Sequence, residues 1–216
     1  MKLNAIELRI LGSLVEKSFT TPELYPLTMN SLINACNQKS SRDPVMDLDA
    51  DTAARGVHTL IEKGLIEREY SVGNRVPKFK HHIEKLIGSE DIKMTAVACV
   101  LILRGPQTPG EIKTRIDRMC TFASSAEVDG FLQDLSARGE QAWVMRSPRQ
   151  SGQKEVRYQH LFADDAPVAA VAPVVIPAND HAPTDRVALL EKRVAALEAE
   201  VRSLKAQASR PEVHVE

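Results

Sequence analysis

The chain has 216 residues, a formal net charge of −1, 43% hydrophobic and 26% charged residues, and only 4% aromatics. Those fractions are ordinary for a globular protein; the scarcity of aromatics points to small helical cores of Leu, Ile, Val and Ala, and near-neutrality does not advertise a nucleic-acid binder. The longest apolar run, around Val97 to Leu103, is far too short to span a bilayer.

MKLNAIELRI lacks the long apolar stretch and small-residue cleavage site of a signal peptide, so the expectation is a cytoplasmic protein with no membrane partner. Charge is unevenly spread. Residues 1–85 hold 12 Lys/Arg against 11 Asp/Glu, residues 91–162 hold 10 against 8, and residues 163–216 hold 6 against 9. The folded part is mildly basic and the tail acidic. Cys36, Cys99 and Cys120 stand far apart, which reads as free thiols and offers no zinc-type spacing. His81-His82 reads as a solvated strand end. No metal and no cofactor is expected.

In chain order, Asn4 and Glu7 have capping-box spacing, and Ile6, Ile10, Leu11, Leu14 and Val15 line one face of a first helix. TTPELYPL (20–27) breaks it at Pro22 and Pro26. A second helix fits Met29 to about Gln38. A third starts at Asp47 or Asp49, with Ala53, Val57, Leu60 and Ile61 inward, and Gly64 ends it. LIEREY (65–70), a turn at Ser71–Arg75 and VPKFKH (76–81) then read as a hairpin.

The plan repeats. Met94 to Leu103 is a nearly all-apolar helix ended by Gly105-Pro106, and QTPGEI (107–112) echoes TTPELY. A second helix carries Ile112, Ile116 and Met119; a third carries Val128, Phe131, Leu132 and Leu135 and is followed by Gly139. AWVMRS (142–147) and VRYQHL (156–161) close a second hairpin around Gly152. Three helices and a hairpin, twice, predict a mainly α fold with small β-hairpin wings: tandem winged-helix domains over 1–85 and 91–162.

Prolines at 167, 173, 177 and 183 make residues 163–184 an extended Pro/Ala linker. Val187, Leu190, Val194, Leu197, Val201 and Leu204 then follow heptad spacing within a coiled-coil helix over 185–206, ahead of a tail at 207–216. Valine at a and leucine at d favour a parallel dimer, and the g–e pairs Arg186–Glu191, Arg193–Glu198 and Glu200–Lys205 all attract in that arrangement. A homodimer is expected.

TTPELYPL, ACNQKSSRDPVM (35–46), RGPQTPGEI (104–112) and the heptads closely resemble the YceH-like proteins of bacteria, over nearly the whole chain. The resemblance implies paired winged helices and brings no catalytic residues. Cys120 departs from the larger, often aromatic residue expected in relatives.

Two readings of function follow. In the first, the chain binds duplex DNA in a regulatory role. Candidate contacts are Asn37, Gln38, Lys39 and Arg42 in the polar loop, Asn74, Arg75 and Lys78 around the first wing, Lys113 and Arg115 on the middle helix of the second domain, and Arg146, Arg149 and Lys154 around the second wing. In the second, the winged helices dock another protein. Asp47, Asp49 and Asp51 open one third helix, and Glu127 and Asp129 the other; these carboxylates oppose groove insertion and favour docking. Cys36 is expected buried, with Lys39 and Arg42 exposed. No phosphate loop, nucleophile elbow or zinc-protease motif suggests an enzyme.

Overall fold

The structure, a computed structural model, describes residues 1–70, 76–147 and 155–164. Helix α1 (Ala5–Thr20) begins where Asn4 Oδ1 accepts from the Ile6 and Glu7 amides, while the Glu7 carboxylate accepts from the Asn4 amide. This reciprocal box satisfies donors that a first helical turn leaves open. A 3-10 turn at Pro22–Leu24 follows, since the prolines cannot extend an α-helix. Strand β1 (Leu27–Thr28) runs into α2 (Met29–Cys36), whose cap is Thr28. Helix α3 (Ala50–Glu62) starts at the Asp49 cap and closes before Gly64, at φ 70°. Strands β2 (Ile66–Glu69) and β3 (Lys78–His81) pair antiparallel, and β3 also takes β1, so the sheet order is β1–β3–β2.

A short α4 (Glu84–Ile87) leads to α5 (Ile92–Arg104), then α6 (Pro109–Ile116) and α7 (Ser125–Ser136). Strands β4 (Val144–Arg146) and β5 (Tyr158–His160) form the second antiparallel pair. The described chain is thus mainly helical with small antiparallel sheets. Helix α2 stops at Cys36, short of the expected Gln38, because the Asn37 side chain turns away to hold both backbone groups of Leu48.

The repeat is real, but its register differs from the echo read in the sequence. Gln107 bridges Tyr158 as Leu27 bridges Phe79, and Thr108 caps α6 as Thr28 caps α2. QTPGEI therefore corresponds to LTMNSL (27–32), not to TTPELY. The shared Thr-Pro pair stands before a 3-10 turn in one place and at a helix cap in the other.

Helix α5 is buried from Met94 through Leu103, so it is apolar around its whole circumference. It packs against α1 so closely that a Cβ on Gly12 would lie 2.8 Å from Ile102 Cγ2 and 2.9 Å from Leu103 Cδ2. The Cys99 thiol points at the Gly12 carbonyl, 3.6 Å away. At the N-terminus, the Leu3 amide donates to Phe162 O and the Asp164 amide to Leu3 O, at 2.8 and 2.9 Å. Both helix–hairpin segments consequently share one apolar core within the unit Met1–Val168. Val187, Leu190, Val194, Leu197, Val201 and Leu204, with linker residues 165–184, lie outside the described residues, whereas Ala163 and Asp164, expected at the start of the linker, pair with Leu3.

Gly12 is a point of close approach between α1 and α5. Gly12→Val should destabilise the fold by about 1–3 kcal/mol through overpacking. Gly56→Ala should be milder, because it adds a single methyl whose obstacles are the terminal Ile10 Cδ1 at 2.6 Å, which can rotate, and Ile6 Cγ2 at 3.1 Å. Thermal denaturation of the two variants checks the contrast.

Candidate functional site

The polar loop 37–46 is the densest motif of the sequence, and its chemistry turns inward. Arg42, expected exposed, has a side chain with 0% exposure. Its guanidinium donates from Nη1 and Nη2 to the two Glu16 carboxylate oxygens at 3.0 and 2.6 Å. It also donates to Ala35 O from Nε and Nη2, to Ser41 O, and to Gln38 Oε1. Arg9 of α1 reaches the same region, donating to Cys36 O at 3.0 Å and to Pro44 O. The carbonyls of Ala35 and Cys36 belong to the last turn of α2, where helix carbonyls lack partners and the macrodipole is negative. Two arginines cap that end.

Bond capacity accounts for the burial of Arg42. A guanidinium carries five donors in a planar fork, and the loop together with α1 supplies enough acceptors to hold it inside. Burial and the neighbouring Arg42 charge lower the Arg9 pKa from its ordinary value. Burial raises the Cys36 thiol pKa, so Cys36 is a packed thiol, as expected. Of the loop candidates Asn37 and Gln38 are half-buried and engaged, and only Lys39 stands exposed. The Asp43 amide donates to Leu103 O at 2.8 Å, which ties the loop to α5.

Around the first hairpin, Lys78 is half-buried and exposed Lys80 lies 3.8 Å from Glu69; Asn74 and Arg75 fall outside the described residues. Around the second, Arg146 is exposed, while Arg149 and Lys154 fall outside the described residues. Arg157 is committed to Glu111 at 2.8 Å. Lys113 and Arg115 are half-buried on α6, with Arg118 exposed just beyond it.

The carboxylates of the third helices divide by role. Asp49 caps α3 through the Thr52 amide, and Glu127 accepts from Lys93 and from the Ala123 amide. Asp129 accepts from the Tyr158 hydroxyl at 2.7 Å and from Gln133. Asp51 and Asp134 are exposed. The histidine pair is not a solvated strand end. His81 is half-buried beside Ser18 and Tyr25, and burial pulls its pKa down to about 4. His82 sits between Glu67 and Glu84, at 2.9 and 2.7 Å. Among the described residues no three His, Cys, Asp or Glu side chains gather as a metal site, and no helix is long and apolar enough to cross a membrane.

Sequence reasoning missed Arg9, Glu16 and Arg104. The signal for the first two was present: Arg9, Ser13 and Glu16 form a polar stripe at helical spacing inside the apolar pattern of α1, and Arg9 and Ser13 are buried.

These features define a mainly helical protein whose most distinctive motif is a buried arginine clamp. The chain belongs to the family described as "Protein of unknown function, DUF480", which matches residues 3–153. It is similar to UPF0502 proteins of Vibrio parahaemolyticus (41% identical, covering 96% of each chain) and Photobacterium profundum (43%, covering 92% of this chain and 93% of the other). A UPF0502 protein of Opitutus terrae is 44% identical over 90% of this chain and 83% of its own.

If the motif is a clamp, Arg42→Leu should cost about 3–5 kcal/mol, because it leaves Glu16 and the end of α2 without their buried donor. Arg42→Lys should rescue little, lacking the fork. Lys39→Ala should leave the urea midpoint unchanged. A midpoint for Arg42→Leu equal to that of the parent would remove the structural assignment.

Proposed function

We propose that both helix–hairpin segments are winged helices and that the chain is a non-enzymatic, cytoplasmic docking protein whose partner is another protein. The observation that carries this reading is the surface of α7. A winged helix that reads DNA inserts its third helix into the major groove. Over Ser125–Ser136, α7 carries Glu127, Asp129 and exposed Asp134 and no cation of its own, with Glu127 paired to Lys93 of α5 and Asp129 accepting from the Tyr158 hydroxyl. On α3, exposed Arg55 is accompanied by exposed Asp51 and Glu62. Phosphates flanking a groove repel such faces, whereas a basic protein surface is attracted to them. The clamp adds support, since Gln38 and Arg42 are spent within the fold and are not free to read bases.

Duplex binding through the hairpins is the second reading, favoured by the exposed Arg68 and Arg146 on the strands that approach the hairpin turns. We further infer a parallel homodimer through the heptads at 187–204, which would present two copies of the docking surface.

Fluorescence anisotropy with a labelled duplex at two salt concentrations separates the readings. The docking reading expects no saturable binding at low salt with protein at tens of micromolar. Submicromolar binding that weakens steeply with salt means that several phosphates are neutralised, and the duplex reading would then replace it. Sedimentation equilibrium tests the dimer independently: the full chain should approach dimer mass at high concentration, and Leu197→Lys should hold it at monomer mass.

A further inference from the structure

Between α1, α5 and α6 lies a cleft of about 350 Å³ whose lining includes Glu16, Ser41, Arg104, Arg115, Arg118 and Met119. We propose that this cleft binds a phosphoryl group, free or carried on a small molecule, through Arg104, Arg115 and Arg118. The proposal is independent of the docking reading.

The arginines of the cleft lack hydrogen-bond acceptors, although Glu16 acts on Arg104 and Glu111 on Arg115 through charge alone. Three arginines line the cleft, and the two oxygens of its single carboxylate, Glu16, already accept from Nη1 and Nη2 of Arg42, with Lys17 a further 3.9 Å contact. Among the described residues no side-chain hydrogen bond or ion pair engages Arg104, Arg115 or Arg118. Arg115 Nη1 is buried with no acceptor at all. A buried charged donor without a partner is costly, and like charges nearby add to that cost. Consistent with this crowding, burial and then the Arg115 charge lower the Arg104 pKa. The other cations that approach the core are satisfied: Arg42 by Glu16, Lys63 by Glu7 and Arg157 by Glu111.

The chemistry of the missing acceptor follows. Guanidinium forks match the oxygens of phosphate and carboxylate. Three guanidiniums ask for more charge and more oxygens than one carboxylate supplies, and a phosphoryl dianion has three terminal oxygens. The volume stands at the lower end of small-ligand sites, so there is room for a small body beside the phosphoryl group. Val100, Leu103 and Met119 give that body an apolar wall. Ser41, whose φ is 62°, places the polar loop at the rim of the same cleft.

The test uses the full chain. Thermal denaturation is followed with inorganic phosphate and with adenosine monophosphate, each against sodium chloride of matched ionic strength, and affinity is read by titration calorimetry. The expected result is a rise of several degrees in the melting midpoint with at least one probe. Arg115→Gln and the exposed-site variant Arg118→Gln should each weaken binding by at least about tenfold. Arg115→Met should melt no lower than the parent in chloride, because it removes a guanidinium nitrogen that is buried without an acceptor, and should lose the phosphate response. A response to inorganic phosphate alone identifies the free ion, and one confined to the monophosphate identifies a phosphomonoester. No shift with either probe beyond the chloride control overturns the proposal, as does an unchanged response in both Arg115→Gln and Arg118→Gln.

Discussion

The close approach of α1 and α5 at Gly12 is the constraint on which the other arrangements depend. Two helices meet there with no room for a side chain on one of them, and α5 is buried along ten consecutive residues as a result. That contact merges two helix–hairpin segments into one core. It also brings the carbonyl of Leu103 to the Asp43 amide, which anchors the polar loop on the second segment. The cleft lined by α1, α5 and α6 exists because α1 lies against α5 along one side and α6 turns back over α5 from the other.

Within that frame, charge is distributed by bond capacity rather than by exposure. Glu16 could have neutralised the arginines of the cleft, but Arg42 takes both of its oxygens. The clamp that secures the end of α2 therefore leaves Arg104, Arg115 and Arg118 without a hydrogen-bonding carboxylate, though Glu16 still acts on Arg104 through its charge. The loop and the cleft are coupled parts of one electrostatic arrangement, joined through Glu16 and Ser41. A motif that reads as a surface recognition loop thus acts mainly as an internal brace, with Lys39 its outward cation.

The third helices of the two segments, α3 and α7, differ in the chemistry of their side chains. On α3, carboxylates and a single arginine alternate, with Arg55 donating to Thr52 and His58 set 3.4 Å from Glu62. On α7 cations are missing altogether, and Asp129 is drawn back to the Tyr158 hydroxyl. That bond joins α7 to the strand that corresponds to β3 of the first segment, where the equivalent residue is Phe79 and offers no hydroxyl. The same scaffold accordingly presents two chemically different surfaces.

What the sequence determined by itself is the local grammar. Asn4 with Glu7, Thr108 as a cap, and Gly64, Gly105 and Gly139 at positive φ all act within a few residues of their own positions. Caps, apolar periodicity and glycines therefore placed the six longer helices and the two strand pairs approximately, while β1 and the short α4 were not expected and α2 stops earlier than the pattern suggested. Tertiary structure alone decided the fate of the charges. Arg42 finds Glu16 across 26 residues and the Asp43 amide finds Leu103 across sixty, so neither partnership leaves a local trace. The register of the repeat was decided the same way, since only the pairing of Gln107 with Tyr158 shows which threonine plays the part of Thr28. Periodicity identifies which face of a helix is buried, but whether a buried cation is satisfied depends on acceptors that distant parts of the chain bring to it.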